Sequence, residues 1–203
     1  MKNIFQGKKN NQKGFTLVEL MVVVGIIAVI SALSLFNSSK LNSSVLLSNT
    51  AYEIGLIIRD AQVSGLGAKV LLNGGNATTS NQGVFFDKGT PEKIVFFADL
   101  DKNNTYNSGE ESQVYNIENK RAGSIIRICE VNGTNCDDMY DLTVMFKRPN
   151  PEAYFYDTDH TSIGIQSNVV INVGFDGGDC RSIIIYKTGA IQIDKSYCPP
   201  ATN

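Results

Sequence analysis

Oxygen-bearing side chains recur at alternate positions in residues 97–110, FADLDKNNTYNSGE. Six of them fall at positions 1, 3, 5, 7, 9 and 12 of a loop, which is the ligand spacing of an EF-hand-type calcium loop. Hard oxygen ligands at alternate positions allow one tight loop to wrap around a single cation. The candidate Ca²⁺ ligands are Asp99, Asp101, Asn103, Thr105, Asn107 and Glu110.

The same segment has a metal-free interpretation. Asn104 stands where a calcium loop has the glycine of its sharp turn, and Asn adopts the left-handed conformation less freely than glycine. No helix clearly follows Glu110, and Asp and Asn side chains cap turns without any metal. We therefore favour a turn-rich connection after a strand and keep calcium as the alternative.

Residues 15–36, FTLVELMVVVGIIAVISALSLF, contain one charged side chain, Glu19, and no proline. As a helix this segment would be about 33 Å long, close to the hydrocarbon thickness of a bilayer. Four lysines and no acid lie in residues 1–14, so the positive-inside rule places this end in the cytoplasm. A carboxylate inside a membrane segment is costly and is functional by default, although a position near the interface would lower that cost.

The sequence GFTLVEL at residues 14–20, after a short basic leader, resembles the class III signal of type IV pilins and pseudopilins. The resemblance implies that a prepilin peptidase cuts between Gly14 and Phe15 and that the new amino terminus of Phe15 is N-methylated. It implies that Glu19, fifth in the mature chain, pairs with the terminal amine of a neighbouring subunit. Association would then lower the cost of this carboxylate. The implied partners are other pilin or pseudopilin subunits, the peptidase and an inner-membrane assembly platform.

An amphipathic helix is predicted to continue beyond the apolar segment and to end near residues 65–67. Apolar residues recur there at spacings of four and three, a helical period. Polar and charged side chains, Gln62 among them, are expected off this stripe. The stripe comprises Leu47, Ala51, Ile54, Ile58 and Ala61.

The remainder of the chain alternates short β-branched and aromatic runs with turn-forming clusters, which predicts antiparallel strands. The predicted fold class is α+β, and its layout resembles that of type IV pilins: a long N-terminal helix, half membrane-spanning and half amphipathic, packed on an antiparallel β-sheet head. The predicted strands are 70–72, 83–86, 93–97, 113–116, 125–128, 142–146, 153–156, 169–175, 182–187 and 190–193. The predicted regions are a cleaved leader 1–14, an apolar helix 15–36, an amphipathic helix 37–67 and a β-rich head 68–203 with disulfides.

Four cysteines lie in the part of the chain expected outside the cytoplasm, where disulfides form, and they allow three pairings. We favour Cys129 with Cys136, which would close a small loop of turn formers at 130–135. We also favour Cys180 with Cys198, which would tie the two ends of the last hairpin and resembles the C-terminal disulfide loop common in pilins. A zinc site of all four cysteines is the alternative, although neither pair has CxxC-like spacing.

Composition and motifs argue against several classes of function. The chain has 203 residues and 42% hydrophobic content, which excludes wholesale disorder. Its single histidine, His160, lies in a polar segment, and no motif of a nucleophile, metalloprotease or phosphate-binding loop occurs, so we predict no enzyme. Since residues 1–14 hold four of the 18 bases and none of the 20 acids, the rest has a net charge of -6, which opposes nucleic-acid binding.

The segment 97–110 also resembles the heads of GspH/FimT-like minor pseudopilins, which carry F-x-D-x-D-x-N-G-x-x-x-x-G-E. The matching residues are Phe97, Asp99, Asp101, Asn103, Gly109 and Glu110, with Asn104 in place of the first glycine.

The sequence thus predicts a structural subunit, a minor pilin or pseudopilin of a type IV pilus or type II secretion pseudopilus. It would sit in the inner membrane as a single-pass protein with an exported head, then join a periplasmic or extracellular filament. The alternatives are a ligand-binding minor pilin, for DNA uptake or adhesion, and a membrane-anchored β domain that does not polymerise.

Overall fold

The computed structural model describes residues 14–67, 70–73, 76–117, 123–133, 135–157, 167–175 and 178–199. Among these, the side chains of 34–42, 70–73 and 76–79 are not described. The predicted leader, apart from Gly14, and His160 lie outside the described residues. The described chain divides into two compact units between Asn42 and Ser43, and helix α1 (Leu17–Leu66) contributes to both.

Helix α1 begins with a capped first turn. The backbone N–H of Glu19 donates to the hydroxyl of Thr16 at 3.2 Å, and the N–H of Leu20 donates to the carbonyl of Thr16 at 3.2 Å. Thr16 and Glu19 have the spacing of a capping box, in which the Ser or Thr satisfies a free N–H of the first turn. A carboxylate in this turn is also stabilised by the helix dipole.

In the second unit, the predicted stripe of α1 is buried. Its five members are each 1% exposed or less, and α1 ends at Leu66, inside the predicted range. One expectation for this helix is wrong, because Gln62 is buried at 4% exposure. Its Nε2 donates to the carbonyls of Pro151 at 2.9 Å and Gly189 at 3.2 Å, so the buried amide satisfies loop backbone that would otherwise lack donors.

Twelve strands follow α1 in the described part of the chain, and every paired neighbour is antiparallel. Each of the predicted strands overlaps one of them, and the α+β fold class is confirmed. The strands are β1 (Val70–Asn73), β2 (Asn76–Thr79), β3 (Asn81–Asp87), β4 (Lys93–Asp99), β5 (Glu111–Asn116), β6 (Ser124–Asn132), β7 (Asn135–Met139), β8 (Asp141–Phe146), β9 (Ala153–Tyr156), β10 (Asn168–Gly174), β11 (Cys180–Ile185) and β12 (Ile191–Asp194).

The strands form two five-stranded sheets and one small hairpin. The first sheet has the order β5-β4-β3-β8-β9, the second has the order β12-β11-β10-β6-β7, and β1 pairs with β2. The main core lies between the α1 stripe and one face of each large sheet, with Phe86, Phe146 and Ile171 among its fully buried members.

Both large sheets also bury apolar side chains on the opposite face. Val95, Phe97 and Met145 form a cluster on the first sheet, and Val170 and Ile184 pack beside Cys129 on the second. Successive side chains of a strand point to opposite faces, so a strand covered on both sides becomes a continuous apolar run. This explains why all of residues 94–99 in β4 are buried.

The Cys129–Cys136 bond closes the segment 130–135 as predicted, but strand β7, which pairs with β6 there, was not predicted. Strands β6 and β7 pair with Val131 opposite Cys136 and Asn132 opposite Asn135. Strand β7, NCDDM, lies at the edge of its sheet and is partly or fully exposed along its length. An edge strand that buries so little carries no alternating apolar pattern, which is why the sequence did not reveal it.

Candidate functional site

The predicted cleavage bond between Gly14 and Phe15 lies in an open segment directly before α1. Both residues are exposed, Phe15 at 84%, and a Cβ built on Gly14 would meet no atom within 4 Å. Nothing in the described structure therefore requires glycine at this position. Cleavage here would leave Thr16, the cap of α1, as the second residue of the new chain.

The first unit presents an uncovered apolar surface with Glu19 as its only acid in residues 15–33. Its large apolar side chains are between 47% and 84% exposed. Across the described part of the chain, no helix combines the length and apolarity needed to cross a membrane. Residues 34–36 of the predicted span lie outside the described side chains, and the span stays a prediction. The exposed set is Phe15, Leu17, Val18, Leu20, Met21, Val22, Val23, Val24, Ile26, Ile27, Val29, Ile30 and Leu33.

The predicted ligand segment is a strand–loop–strand connection. Strand β4 ends at Asp99 and β5 begins at Glu111, and the two strands pair antiparallel. Two non-glycine residues of the connection, Lys102 (φ 65°) and Asn104 (φ 74°), adopt the left-handed conformation. The turn-rich connection is therefore as predicted, and Asn104 takes the backbone conformation that glycine has in a calcium loop.

Tyr106 anchors this connection to the outer face of the first sheet. Its ring centroid lies 5.0 Å from that of Phe85 and 5.6 Å from that of Phe97. Its hydroxyl donates to the carboxylate of Glu111. Burial, followed by this hydrogen bond, raises the pKa of Tyr106 to about 12, so the phenol stays protonated at neutral pH.

Asp101 is held from two sides by amide groups. Its Oδ1 accepts the backbone N–H of Asn103 at 3.0 Å. Its Oδ2 accepts the side-chain amides of Asn103 at 2.9 Å and Asn107 at 3.0 Å. The Oδ1 of Asn103 in turn accepts the N–H of Thr105 at 2.8 Å and its hydroxyl at 3.0 Å. These bonds fix the direction of the Asp101 carboxylate.

Glu110 joins the two ends of the loop. Its Oε1 accepts the N–H of Leu100 at 2.8 Å and that of Asp101 at 3.3 Å, and its Oε2 accepts the N–H of Asn107 at 3.0 Å. The side chain is buried, at 7% exposure. A carboxylate that accepts several backbone N–H groups is a strong organiser of a loop, because such bonds are charge-assisted.

Asp99 lies against these two carboxylates and is 1% exposed. Neither of its carboxylate oxygens has a hydrogen-bond partner in the described structure. Burial raises the pKa of Asp99, and the charges of Glu110 and Asp101 act in the same direction. The backbone amides of Lys102 and Asn104 oppose this shift without reaching hydrogen-bond geometry.

The structure therefore brings three of the six predicted ligands together. One carboxylate oxygen from each of Asp99, Asp101 and Glu110 lies within 4.8 Å of the others. At that separation two full charges repel by roughly 3 kcal/mol at an effective dielectric constant of 20. Asn103 and Asn107 turn their amide groups to Asp101.

The structure pairs the cysteines in the arrangement that the sequence favoured. Cys129 bonds to Cys136 with a Cα–Cα distance of 5.3 Å, and Cys180 bonds to Cys198 at 5.8 Å. The first bond lies across the β6–β7 hairpin, and the second joins the start of β11 to the segment after β12.

Two polar features of the structure were missed by sequence reasoning. One is the Thr16 cap of α1, which the Ser/Thr-x-x-Glu pattern at residues 16–19 would have predicted. The other is an ion cluster in which Asp179 accepts from Lys195 at 2.8 Å, Ser44 at 3.1 Å and Arg181 at 3.4 Å. Ser44 and Lys195 lie far from Asp179 in sequence, so no local pattern could have revealed these contacts.

Comparison with known proteins bears on the amino-terminal segment. Residues 9–35 match the family model described as the prokaryotic N-terminal methylation motif. No curated protein and no solved structure matches the chain. Proteins with this motif are in general structural rather than enzymatic, are processed by a prepilin peptidase and assemble with other pilin subunits. The amino-terminal segment thus carries a prepilin-type signal, which supports a type IV pilin-like, membrane-anchored and exported protein.

Proposed function

We propose that this chain is a minor pilin or pseudopilin, a structural subunit of a type IV pilus or a type II secretion pseudopilus. A prepilin peptidase cuts before Phe15, whose new amino group is methylated. The mature subunit is held in the inner membrane by residues 15–36, with the head exported. An inner-membrane assembly platform then adds it to a filament. The observation that carries this proposal is the match of residues 9–35 to the N-terminal methylation motif.

The uncovered surface of residues 15–33 supports the proposal. Exposed apolar patches of this extent on a soluble monomer are rare and mark contact with a membrane or with other proteins. In the membrane, lipid covers these side chains. In a filament, the same side chains of neighbouring subunits cover one another, so a single surface serves both states.

Glu19 is the residue that favours the filament over simple anchoring. It is the only acid among residues 15–33, and it stands four residues after Phe15. A carboxylate surrounded by apolar side chains needs a cationic partner. The amino terminus created by cleavage is a cation in the same apolar surroundings, and a neighbouring subunit brings it to Glu19 during assembly.

Within this class, we infer that the head is of the GspH/FimT kind of minor pseudopilin, which its segment 97–110 resembles. The strand–loop–strand arrangement of residues 97–110 supports this, although Asn104 departs from the glycine of that motif. The net charge of -6 outside the leader opposes capture of DNA through phosphate contacts.

The test is the mass and N-terminal sequence of the full chain recovered from membranes, with and without a co-expressed prepilin peptidase. We expect a chain that begins at Phe15 and carries one methyl group, about 14 Da. Gly14→Ala is the matched control: since a Cβ there meets no atom within 4 Å, the fold is kept and only peptidase recognition changes. A chain that still begins at Met1 beside an active peptidase contradicts the proposal.

A further inference from the structure

We propose that the β4–β5 connection is a calcium site in which Asp99, Asp101 and Glu110 supply the carboxylate ligands. The site belongs to the head and does not depend on filament assembly.

The environment of the Asp99 carboxylate points to a bound cation. The side chain is 1% exposed, and neither of its oxygens accepts a hydrogen bond in the described structure. A buried carboxylate is costly unless it is paired, hydrogen-bonded or bound to a metal. Among the described residues, no Lys or Arg forms an ion pair with Asp99, Asp101 or Glu110. A bound cation would supply the charge that the protein does not.

The spacing of the three carboxylates fits one calcium ion. Calcium binds oxygen at about 2.3–2.6 Å, so two oxygens on the same ion lie no more than about 5 Å apart. The three carboxylate oxygens of the cluster lie within 4.8 Å of one another. Their separation is therefore compatible with ligation of a common ion.

Each carboxylate has an oxygen with free acceptor capacity for the ion. Both oxygens of Asp99 are without a hydrogen bond, and Oε2 of Glu110 accepts one N–H where an oxygen can accept two. Asp101 is aimed by the amides of Asn103 and Asn107. Asn103 is a positioning residue, because its Oδ1 already accepts the N–H and the hydroxyl of Thr105. The side-chain amide of Asn107 also positions Asp101.

Calcium suits this loop better than magnesium. Calcium accepts six to eight oxygens in irregular geometry, whereas Mg²⁺ requires a near-ideal octahedron and retains several of its waters. A buried Asp99 limits the water that an ion can retain on that side. With only three carboxylates, the site belongs with the weaker extracellular class, with a Kd of about 10⁻⁴ to 10⁻³ M.

The test uses the full chain in detergent micelles, with both disulfides intact, after treatment with a chelator. Thermal melting is followed by circular dichroism in chelator and in about 5 mM CaCl₂ or MgCl₂, and calcium binding is measured by calorimetry. We expect calcium to raise Tm by about 5 °C, because a ligand that binds only the folded state stabilises it. Asp99→Asn keeps the size of the side chain and is expected to abolish both the binding and the shift.

Two further variants keep the test decisive. Asp101→Asn removes an exposed ligand and is expected to abolish binding even where Asp99→Asn does not fold. Asp137→Asn removes an exposed carboxylate on β7 and is expected to bind calcium as the wild type does. An unchanged Tm in calcium, a calcium response retained in Asp99→Asn and Asp101→Asn, or an equal response to magnesium would each overturn the proposal.

Discussion

The last turn of α1 lies directly against the end of β8 at Gly65 and Phe146. A Cβ built on Gly65 would lie 2.7 Å from the carbonyl oxygen of Phe146 and 3.1 Å from its Cβ. These are backbone or near-backbone atoms, which cannot move aside without disturbing the sheet. Glycine therefore holds the helix at this distance from the first sheet, in spite of its low helix propensity.

Gly65→Ala is expected to destabilise the protein by about 1–3 kcal/mol, because overpacking outweighs the gain of about 1 kcal/mol in helix propensity. Gly55→Ala is the control on the same helix. There the nearest atom to a new Cβ is the flexible Cδ1 of Ile193 at 3.3 Å, so we expect no loss or a small gain. Urea unfolding of the full chain in detergent measures both, and a Gly65→Ala variant as stable as Gly55→Ala would contradict this account.

Sequence patterns predicted α1 and the positions of ten strands, but not the contacts of Gln62 or the arrangement of the strands into two sheets. The spacing of apolar residues on α1 depends on the helix alone, and every member of the stripe is buried. Gln62 was expected among the polar side chains off the stripe. Its side-chain amide is instead buried, because it donates hydrogen bonds to the carbonyls of Pro151 and Gly189, which lie far away in sequence. The arrangement of strands into two sheets also depends on contacts between segments far apart in sequence, which local patterns do not encode.

The two disulfides are expected to differ in their contribution to stability. The chain between Cys180 and Cys198 spans 18 residues, against 7 for Cys129 and Cys136. Closing the longer loop removes more entropy from the unfolded chain, about 3 kcal/mol against about 2 kcal/mol. Each pair has one fully buried member, at 3% exposure for Cys180 and 0% for Cys129, so the loss of packing is similar.

Replacing each pair by alanine and measuring the free energy of unfolding tests this order. We expect the Cys180→Ala/Cys198→Ala variant to be the less stable of the two. The β6–β7 hairpin is also paired through its backbone, so we expect it to keep this pairing when its disulfide is removed. The reverse order would mean that loop closure does not decide the contribution of these bonds.

Asp179 makes the stability of the head depend on pH. The hydrogen bond from Lys195 lowers the pKa of Asp179 below 3.8, with Ser44 and the charge of Arg181 acting in the same direction and burial opposing them. A lowered folded-state pKa gives stability that is fully present above the unfolded pKa and is lost as pH falls through the folded value. Since the side chain of Asp179 is 42% exposed, solvent screening limits its contribution to the free energy of unfolding to under about 1 kcal/mol.

Asp179→Asn should therefore be less stable than the wild type at neutral pH, and the difference should shrink as the pH falls below 3.8 and through the lowered folded-state pKa. Unfolding free energies measured across this range, at low and high salt, provide the check, and salt should reduce the difference. Asp137→Asn is the control, as this exposed carboxylate makes no ion pair among the described residues. A difference that grows as the pH falls would rule out this role for Asp179.

The candidate sites were predictable to the extent that they are local. Gly14, Phe15 and Glu19 lie within one short motif, and the carboxylates of Asp99, Asp101 and Glu110 lie within one loop. Sequence spacing could not distinguish ligands from positioning residues, because it does not show which way an Asn amide turns. In the structure, the side-chain amides of Asn103 and Asn107 donate to Asp101.

Glu19→Gln separates a filament subunit from a simple membrane-anchored domain. The substitution keeps the size and the position of the side chain in the first turn of α1, and the N-cap bond to Thr16 uses only the backbone of residue 19. Cleavage before Phe15 and the fold of the head should therefore be unchanged. Association of subunits in the membrane should fall more than tenfold, because the terminal amine of the neighbour loses its charged partner.

Chemical cross-linking of the processed chain in membranes, with the assembly platform present, measures this association. Glu53→Gln, which removes an exposed carboxylate from the same helix within the head, is the matched control and should cross-link as the wild type does. Loss of cross-linked oligomers in Glu19→Gln alone, with processing intact, assigns the carboxylate to the contact between subunits. Equal cross-linking in both variants would show that Glu19 has no role in assembly and would favour a membrane-anchored β domain that does not polymerise. In that case Glu19 needs no partner, because a carboxylate in an apolar helix can instead be solvated at the membrane surface.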